Sequence, residues 1–150
     1  MKQVYIETIL LIERLHRRFL DVVKSELDRL KVEDINNVQT LILYNIGGDQ
    51  LTVGELTNRG YYLGTNVSYN VKHLVGSGYL IQEKAPHDKR STRVKLSDKG
   101  TALVTQMEAL IERNVEALNK RDPELKTLTE TNKSMHELER FWTDYMSRLY

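Results

Sequence analysis

Cysteine is absent from this 150-residue chain, which excludes structural disulfides, thiolate-ligated zinc and thiol redox sensing. Long apolar runs are absent too. The longest aliphatic stretch, Ile9-Leu10-Leu11-Ile12, falls far short of the roughly 20 residues that a bilayer span needs. The N-terminus lacks the basic region, apolar run and small-residue cleavage site of a secretion signal, so the expected location is the cytoplasm. Catalytic patterns are missing as well. Histidines 16, 73, 87 and 136 have no ligand spacing, and Met135-His136-Glu137-Leu138-Glu139 lacks the second histidine of a zinc-protease helix. No G-x-S-x-G or phosphate-cradling glycine loop occurs. His16 with Glu13 offers zinc ligands, but exposed histidines on helix surfaces account for them more simply. An enzyme, a metal centre and a bound cofactor are therefore not expected. The formal net charge is only +1, so whole-chain charge points to no polyanionic partner.

The distribution of charge is more informative. Residues 52–100 hold eight Lys/Arg against four acids, leaving fourteen basic and seventeen acidic residues elsewhere. Within this basic part, residues 85–100 read A-P-H-D-K-R-S-T-R-V-K-L-S-D-K-G, with Lys89, Arg90, Arg93, Lys95, Lys99 and His87 set against Asp88 and Asp98. Such asymmetry fits a basic face aimed at a polyanion, or an ordinary solvated surface.

Apolar spacing orders the rest. Ile9, Ile12, Phe19, Val23, Leu27 and Leu30 recur at three- and four-residue steps and predict a helix over 3–31. Seven of nine residues from Val4 to Ile12 are apolar, so its first half demands a second partner, either the rest of the chain or another copy. A second helix is predicted over 36–50, capped by Asn36 or Asn37 and stopped at Gly47-Gly48-Asp49. Thr52 and Glu55 form a capping box at the start of a short helix ending at Gly60. A third runs from about Thr65 to Val75, with Val67, Val71, Leu74 and Val75 on one face and Asn66, Ser68, Tyr69, Asn70, Lys72 and His73 on the other. The period then changes to two, giving strands Tyr79–Lys84 and Thr92–Ser97 joined by a basic hairpin loop containing Pro86 and Asp88. A long helix follows over 98–120. Asp122-Pro123 marks a break, and a last helix over roughly 131–148 carries Met135, Leu138, Phe141, Trp142, Tyr145 and Leu149.

A short helix, a turn, a polar-faced helix and a basic hairpin in that order fit a winged helix-turn-helix. The second helix of such a pair suits the major groove, where short Asn, Ser and Thr side chains meet base edges. A basic hairpin suits the narrower minor groove. Asp88-Lys89-Arg90 followed by Arg93-Val94-Lys95-Leu96-Ser97-Asp98-Lys99-Gly100 resembles the wing pattern of the MarR family of bacterial regulators, D-x-R-x-x-x-V-x-L-T-x-x-G, with Ser97 in place of the usual Thr. Leu51-Thr52-Val53-Gly54-Glu55-Leu56, then Val67-Ser68-Tyr69-Asn70-Val71-Lys72-His73-Leu74 and Gly78-Tyr79-Leu80, fall at that family's spacing.

The resemblance implies a mainly α fold with a small β-hairpin wing. It divides the chain into a dimerisation helix at 1–33, a DNA-binding lobe at 34–98 and C-terminal dimerisation helices at 99–150, all one integrated domain. It implies a homodimer on double-stranded DNA at a pseudo-palindromic operator. Thr65, Asn66, Ser68, Tyr69, Asn70, Lys72, His73, Lys89, Arg90, Ser91 and Arg93 become the DNA-binding candidates, with Asp88 supporting Arg90. Lys95 joins the phosphate contacts. A small aromatic effector is implied, with Phe19, Tyr44, Tyr61 and Tyr62 as candidate walls. The chain departs from the pattern at Tyr62-Leu63-Gly64-Thr65-Asn66, and its turn glycine, Gly60, sits one place early. These departures leave the register of the recognition helix open. Tyr69 reads equally as a phosphate or sugar contact and as a packed surface aromatic. The alternative function, a winged-helix protein-interaction module, fits a wing filled with apolar residues, whereas this one keeps Lys89, Arg90 and Arg93.

Overall fold

The structure is a computed structural model of the chain. It describes residues 1–60, 64–85 and 87–150, without the side chains of residues 60, 64, 65, 85 and 88–90. The elements in order are α1 (Lys2–Arg29), α2 (Asn37–Ile46), β1 (Leu51–Thr52), α3 (Val53–Gly60), α4 (Gly64–Gly76), β2 (Leu80–Ala85), β3 (Asp88–Leu96), α5 (Asp98–Asn119), a 3-10 turn (Pro123–Leu125) and α6 (Lys126–Ser147). Residues 1–108 and 109–150 form two compact units, with the division inside α5.

In the first unit α2 starts where its cap predicts. The Asn36 side chain accepts from the Gln39 N–H, and the Gln39 side chain accepts from the Asn36 N–H. It stops at Gly47, whose φ of 54° lies in the left-handed region that favours glycine. The core gathers Val23 and Leu27 from α1, Ile42, Leu43 and Ile46 from α2, Leu56 from α3, and Val67, Val71 and Leu74 from α4. Leu80 and Val94 of the sheet and Leu103 and Met107 of α5 complete it. Each such side chain contributes about 1.5–3 kcal/mol when fully withdrawn from water.

The sheet corrects the expected hairpin in two ways. It has three strands in the order β1-β3-β2, all antiparallel, because Leu51 and Thr52 pair with Val94 and Arg93. The expected basic loop also shrinks. Ala85 pairs with Asp88, so Lys89, Arg90 and Ser91 belong to β3 rather than to a loop. Pro86, expected within that loop, lies outside the described residues.

The wing ends in a junction that explains its sequence pattern. The Ser97 hydroxyl donates to the Gly78 carbonyl at 2.6 Å and accepts from the Gly100 N–H at 3.1 Å. It thereby caps α5 and ties it to the turn before β2. Serine supplies both bonds as well as threonine would. At Gly100 any Cβ would collide with the Tyr79 carbonyl oxygen, so the close approach of α5 to the chain before β2 requires glycine.

In the second unit α6 begins at Lys126, earlier than the expected 131. Asp122 accepts from the N–H groups of Thr127 and Leu128 at 2.9 and 3.0 Å, which holds its carboxyl below the usual carboxylate range. Glu124 and Leu125 adopt left-handed conformations, with φ of 60° and 50°. Among the described residues no helix is long and apolar enough to cross a membrane.

Candidate nucleic-acid interface

Helix α4 is seated by Val67, Val71 and Leu74, all buried. At 3.6 residues per turn the opposite side is centred near Tyr69, which is 71% exposed. Asn66, Ser68, Lys72 and His73 are also exposed, and Asn70 is half-buried. The side chain of Thr65 lies outside the described residues, as do Tyr61, Tyr62 and the start register around Leu63. Thr52 still marks the entry to the helix pair, its hydroxyl accepting from the Glu55 N–H at 3.1 Å.

Two of the candidate readers are bonded to neighbouring elements. Gln39, which is buried, donates from Nε2 to Asn70 Oδ1 at 3.1 Å. The His73 ring places Nε2 2.9 Å from the Asp34 carbonyl oxygen. A carbonyl only accepts, so that nitrogen carries the proton. Asn70 thereby ties α4 to α2, and His73 ties it to the segment joining α1 and α2. No spacing signal reveals this, because the partners are 31 and 39 residues away.

The cations of the wing and its neighbouring helices fall into two groups. Lys95 bonds Glu83 at 3.0 Å. The Lys95 hydrogen bond and charge, with a further bond from Gln50 at 2.9 Å, hold the Glu83 carboxyl below its ordinary range. Arg59 reaches Asp49 at 2.6 Å and Lys99 reaches Asp34 at 2.9 Å. Lys72, Lys84 and Arg93 are exposed and make no ion pair among the described residues. Ser91 is half-buried in β3. The side chains of Asp88, Lys89 and Arg90 lie outside the described residues, although their strand is placed.

Phe19 of α1 and Tyr44 of α2 are about 40% exposed. Among the described residues no group of three or more His, Asp or Glu is arranged to hold a metal ion.

Asp34, which the sequence reading did not single out, joins both ends of the wing. Its Oδ1 accepts from the Tyr79 hydroxyl at 2.8 Å and its Oδ2 from Lys99 Nζ at 2.9 Å. Partial desolvation pushes its pKa up, but the bonds from Lys99 and Tyr79 outweigh it and leave the carboxyl below its ordinary value. Burial, and then the bond to Asp34, drive the Tyr79 phenol well above the usual range.

Residues 35–100 match the model of a winged helix DNA-binding domain. The chain is 37% identical over 138 residues to the exopolysaccharide II synthesis transcriptional activator ExpG of Rhizobium meliloti (strain 1021), covering 92% of this chain and 71% of that protein. Reduced MarR from E. coli superposes with a TM-score of 0.70 at 25% identity, over 83% of this chain and 93% of that one. Streptococcus pneumoniae FabT, solved in complex with DNA, shares the fold with a TM-score of 0.77 at 17% identity, over 94% of this chain and 99% of that one. With a wing pattern that departs only at Ser97 between Asp88 and Gly100 and this set of relatives, the chain belongs to the MarR family of winged helix-turn-helix transcriptional regulators and is not an enzyme.

Proposed function

We propose that the protein acts as a homodimer on a pseudo-palindromic duplex, with α4 in the major groove and the β2–β3 wing in the minor groove. The outward face of α4 carries this reading: Asn66, Ser68, Tyr69 and Lys72 stand exposed on a helix whose other side is locked into the core. Of the candidate contacts, Thr65, Asn66, Ser68 and Tyr69 read bases or their sugars. Lys72, Lys89, Ser91 and Arg93 position the backbone, and Arg90, supported by Asp88, enters the minor groove. Asn70 and His73 act from behind, by holding the helix. The dimer forms through residues 1–33 and 99–150. Exposed Leu11 and Leu15 on α1, Phe141 and Tyr145 on α6, and Leu149 just beyond it support that assignment. Recognition helices then reach half-sites about 34–36 Å apart. The protein works in the cytoplasm, and a small aromatic effector binds near Phe19, Tyr44, Tyr61 and Tyr62. Exposed rings at the first two favour that site.

The test is fluorescence anisotropy on a duplex selected from a random library, against a scrambled duplex, across a salt series. The expected result is a strong preference for the selected duplex, with affinity falling by roughly 10³–10⁵ between 50 and 200 mM salt for six to ten phosphate contacts. Failure to select any duplex would sink the reading.

A further inference from the structure

The segment between α1 and α2 meets the recognition helix and both ends of the wing at once. Hydrophobic seating of α4 by Val67, Val71 and Leu74 is non-directional, so it fixes depth better than rotation. Direction comes from hydrogen bonds. On one flank Asn70 is held by Gln39 and His73 by the carbonyl of Asp34. At the exit of the helix, Lys99 Nζ donates to the Ser77 carbonyl at 3.0 Å and lies 4.3 Å from the Tyr79 ring centroid. Tyr79 precedes β2, and Lys99 follows β3 in the first turn of α5. The carboxylate of Asp34 accepts from both.

We propose that Asp34 is a positioning residue for DNA recognition: it bonds the two ends of the wing through its carboxylate and the recognition helix through its carbonyl, and so sets the angle between the major-groove and minor-groove contacts. This rests on the DNA interface proposed above. Phosphate contacts tolerate a small change in that angle, because a cation meets phosphates along the whole backbone. Base-edge contacts do not, because donor and acceptor must align. Loss of Asp34 therefore separates specificity from raw affinity. Tyr79 is buried, so removing its acceptor also leaves a phenol unsatisfied and loosens the wing root.

The experiment measures affinity for the selected and the scrambled duplex with full-length wild type, Asp34→Ala, Asp34→Asn and Tyr79→Phe, each checked for folding by circular dichroism. Asp34→Ala is expected to lower the selected-to-scrambled ratio by roughly tenfold, the size of one good base contact, while binding to the scrambled duplex stays within about twofold. Asp34→Asn keeps an acceptor for Tyr79 but sets a neutral amide against Lys99, so its loss is smaller. Tyr79→Phe removes one bond, keeps the ring and provides a reading if the Ala variant fails to fold. A double-mutant cycle with Arg90→Ala supplies the readout that plain destabilisation would not move. The two losses of specific binding are expected to be non-multiplicative, because a misaligned wing gains less from Arg90. Equal weakening on both duplexes, or an unchanged ratio together with multiplicative losses, overturns the proposal while wild-type specificity leaves the DNA-binding reading standing. A wild type without preference for any duplex overturns both.

Discussion

Helix α4 buries Val67, Val71 and Leu74 within its own unit, whereas α6 has no buried residue. Phe141, Tyr145 and Met146 along α6, and Leu149 just beyond it, stand about half exposed. Both helices alternate apolar and polar residues at helical spacing, so pattern alone does not separate them. The difference lies in what meets the apolar side. Helix α4 finds α2, α3 and β2, and its polar side is left to solvent. Helix α6 leaves Phe141, Tyr145 and Met146 to solvent, the surface that the proposed dimer covers. One helix is ready to touch a partner through its polar face, the other through its apolar face.

The largest effect comes from spoiling the α6 side of that contrast. Phe141→Glu combined with Tyr145→Glu is expected to leave residues 1–108 folded and to yield a particle of 17.5 kDa in sedimentation rather than twice that mass. DNA binding should fall with it by orders of magnitude, because two half-sites are no longer engaged together. Truncation after Lys120 should do the same. A double variant that still sediments as a dimer would place the interface elsewhere.

Next in size is Gly100→Ala, which strikes the seating of the wing on α5. The added methyl meets the Tyr79 carbonyl, and the expected cost is about 2–3 kcal/mol by urea unfolding, in the range of an overpacked core site. An unchanged midpoint would mean that α5 shifts freely, against the tie through Ser97. Smaller still is the contrast between two wing cations. Arg90→Ala should weaken binding to the selected duplex by roughly 5–100-fold. Lys95→Ala should change it by less than about threefold, because Glu83 already holds that ammonium at 3.0 Å. If the two losses came out equal, Lys95 would have to leave Glu83 for phosphate on binding.

Much of this was legible because it is local. The Asn36 cap, the stop at Gly47, the stripe Val67-Val71-Leu74 and the Asp88–Gly100 pattern each depend on residues a few places apart. Strand β1 escaped because two residues show no period. Residues 89–91 read as loop because charge and serine outweighed their alternation, yet pairing of Ala85 with Asp88 draws them into β3. The sequence pattern places the start of α6 late because threonines at 127, 129 and 131 disfavour a helix interior. Their cost is eased where Thr129 and Thr131 donate their hydroxyls to the carbonyls of Leu125 and Thr127. The bonds that hold Asn70 and His73 and the Asp34 junction were out of reach altogether. Asp34 lies 39, 45 and 65 residues from His73, Tyr79 and Lys99, and only the fold brings them together.

The smallest effect sharpens the contrast at its weakest point. Without a core contact of its own, the first turn of α6 depends on polar capping, and Asp122 supplies it by accepting from the N–H groups of Thr127 and Leu128. Those bonds favour the ionised carboxylate and lower its pKa. The contribution is therefore complete above the ordinary carboxylate range and is lost as pH falls through the lowered folded-state value. Protection of the Thr127 and Leu128 amides against hydrogen exchange should be high at pH 6 and decline well below pH ~4 in the wild type. In Asp122→Ala it should already be low at pH 6, with no further decline on acidification. The amides of Val71 and Leu74, in a helix held by its core, should keep their protection in both proteins throughout. Parallel loss in the two helices would mean that acid unfolds the chain as a whole, and that α6 is anchored by something other than its cap.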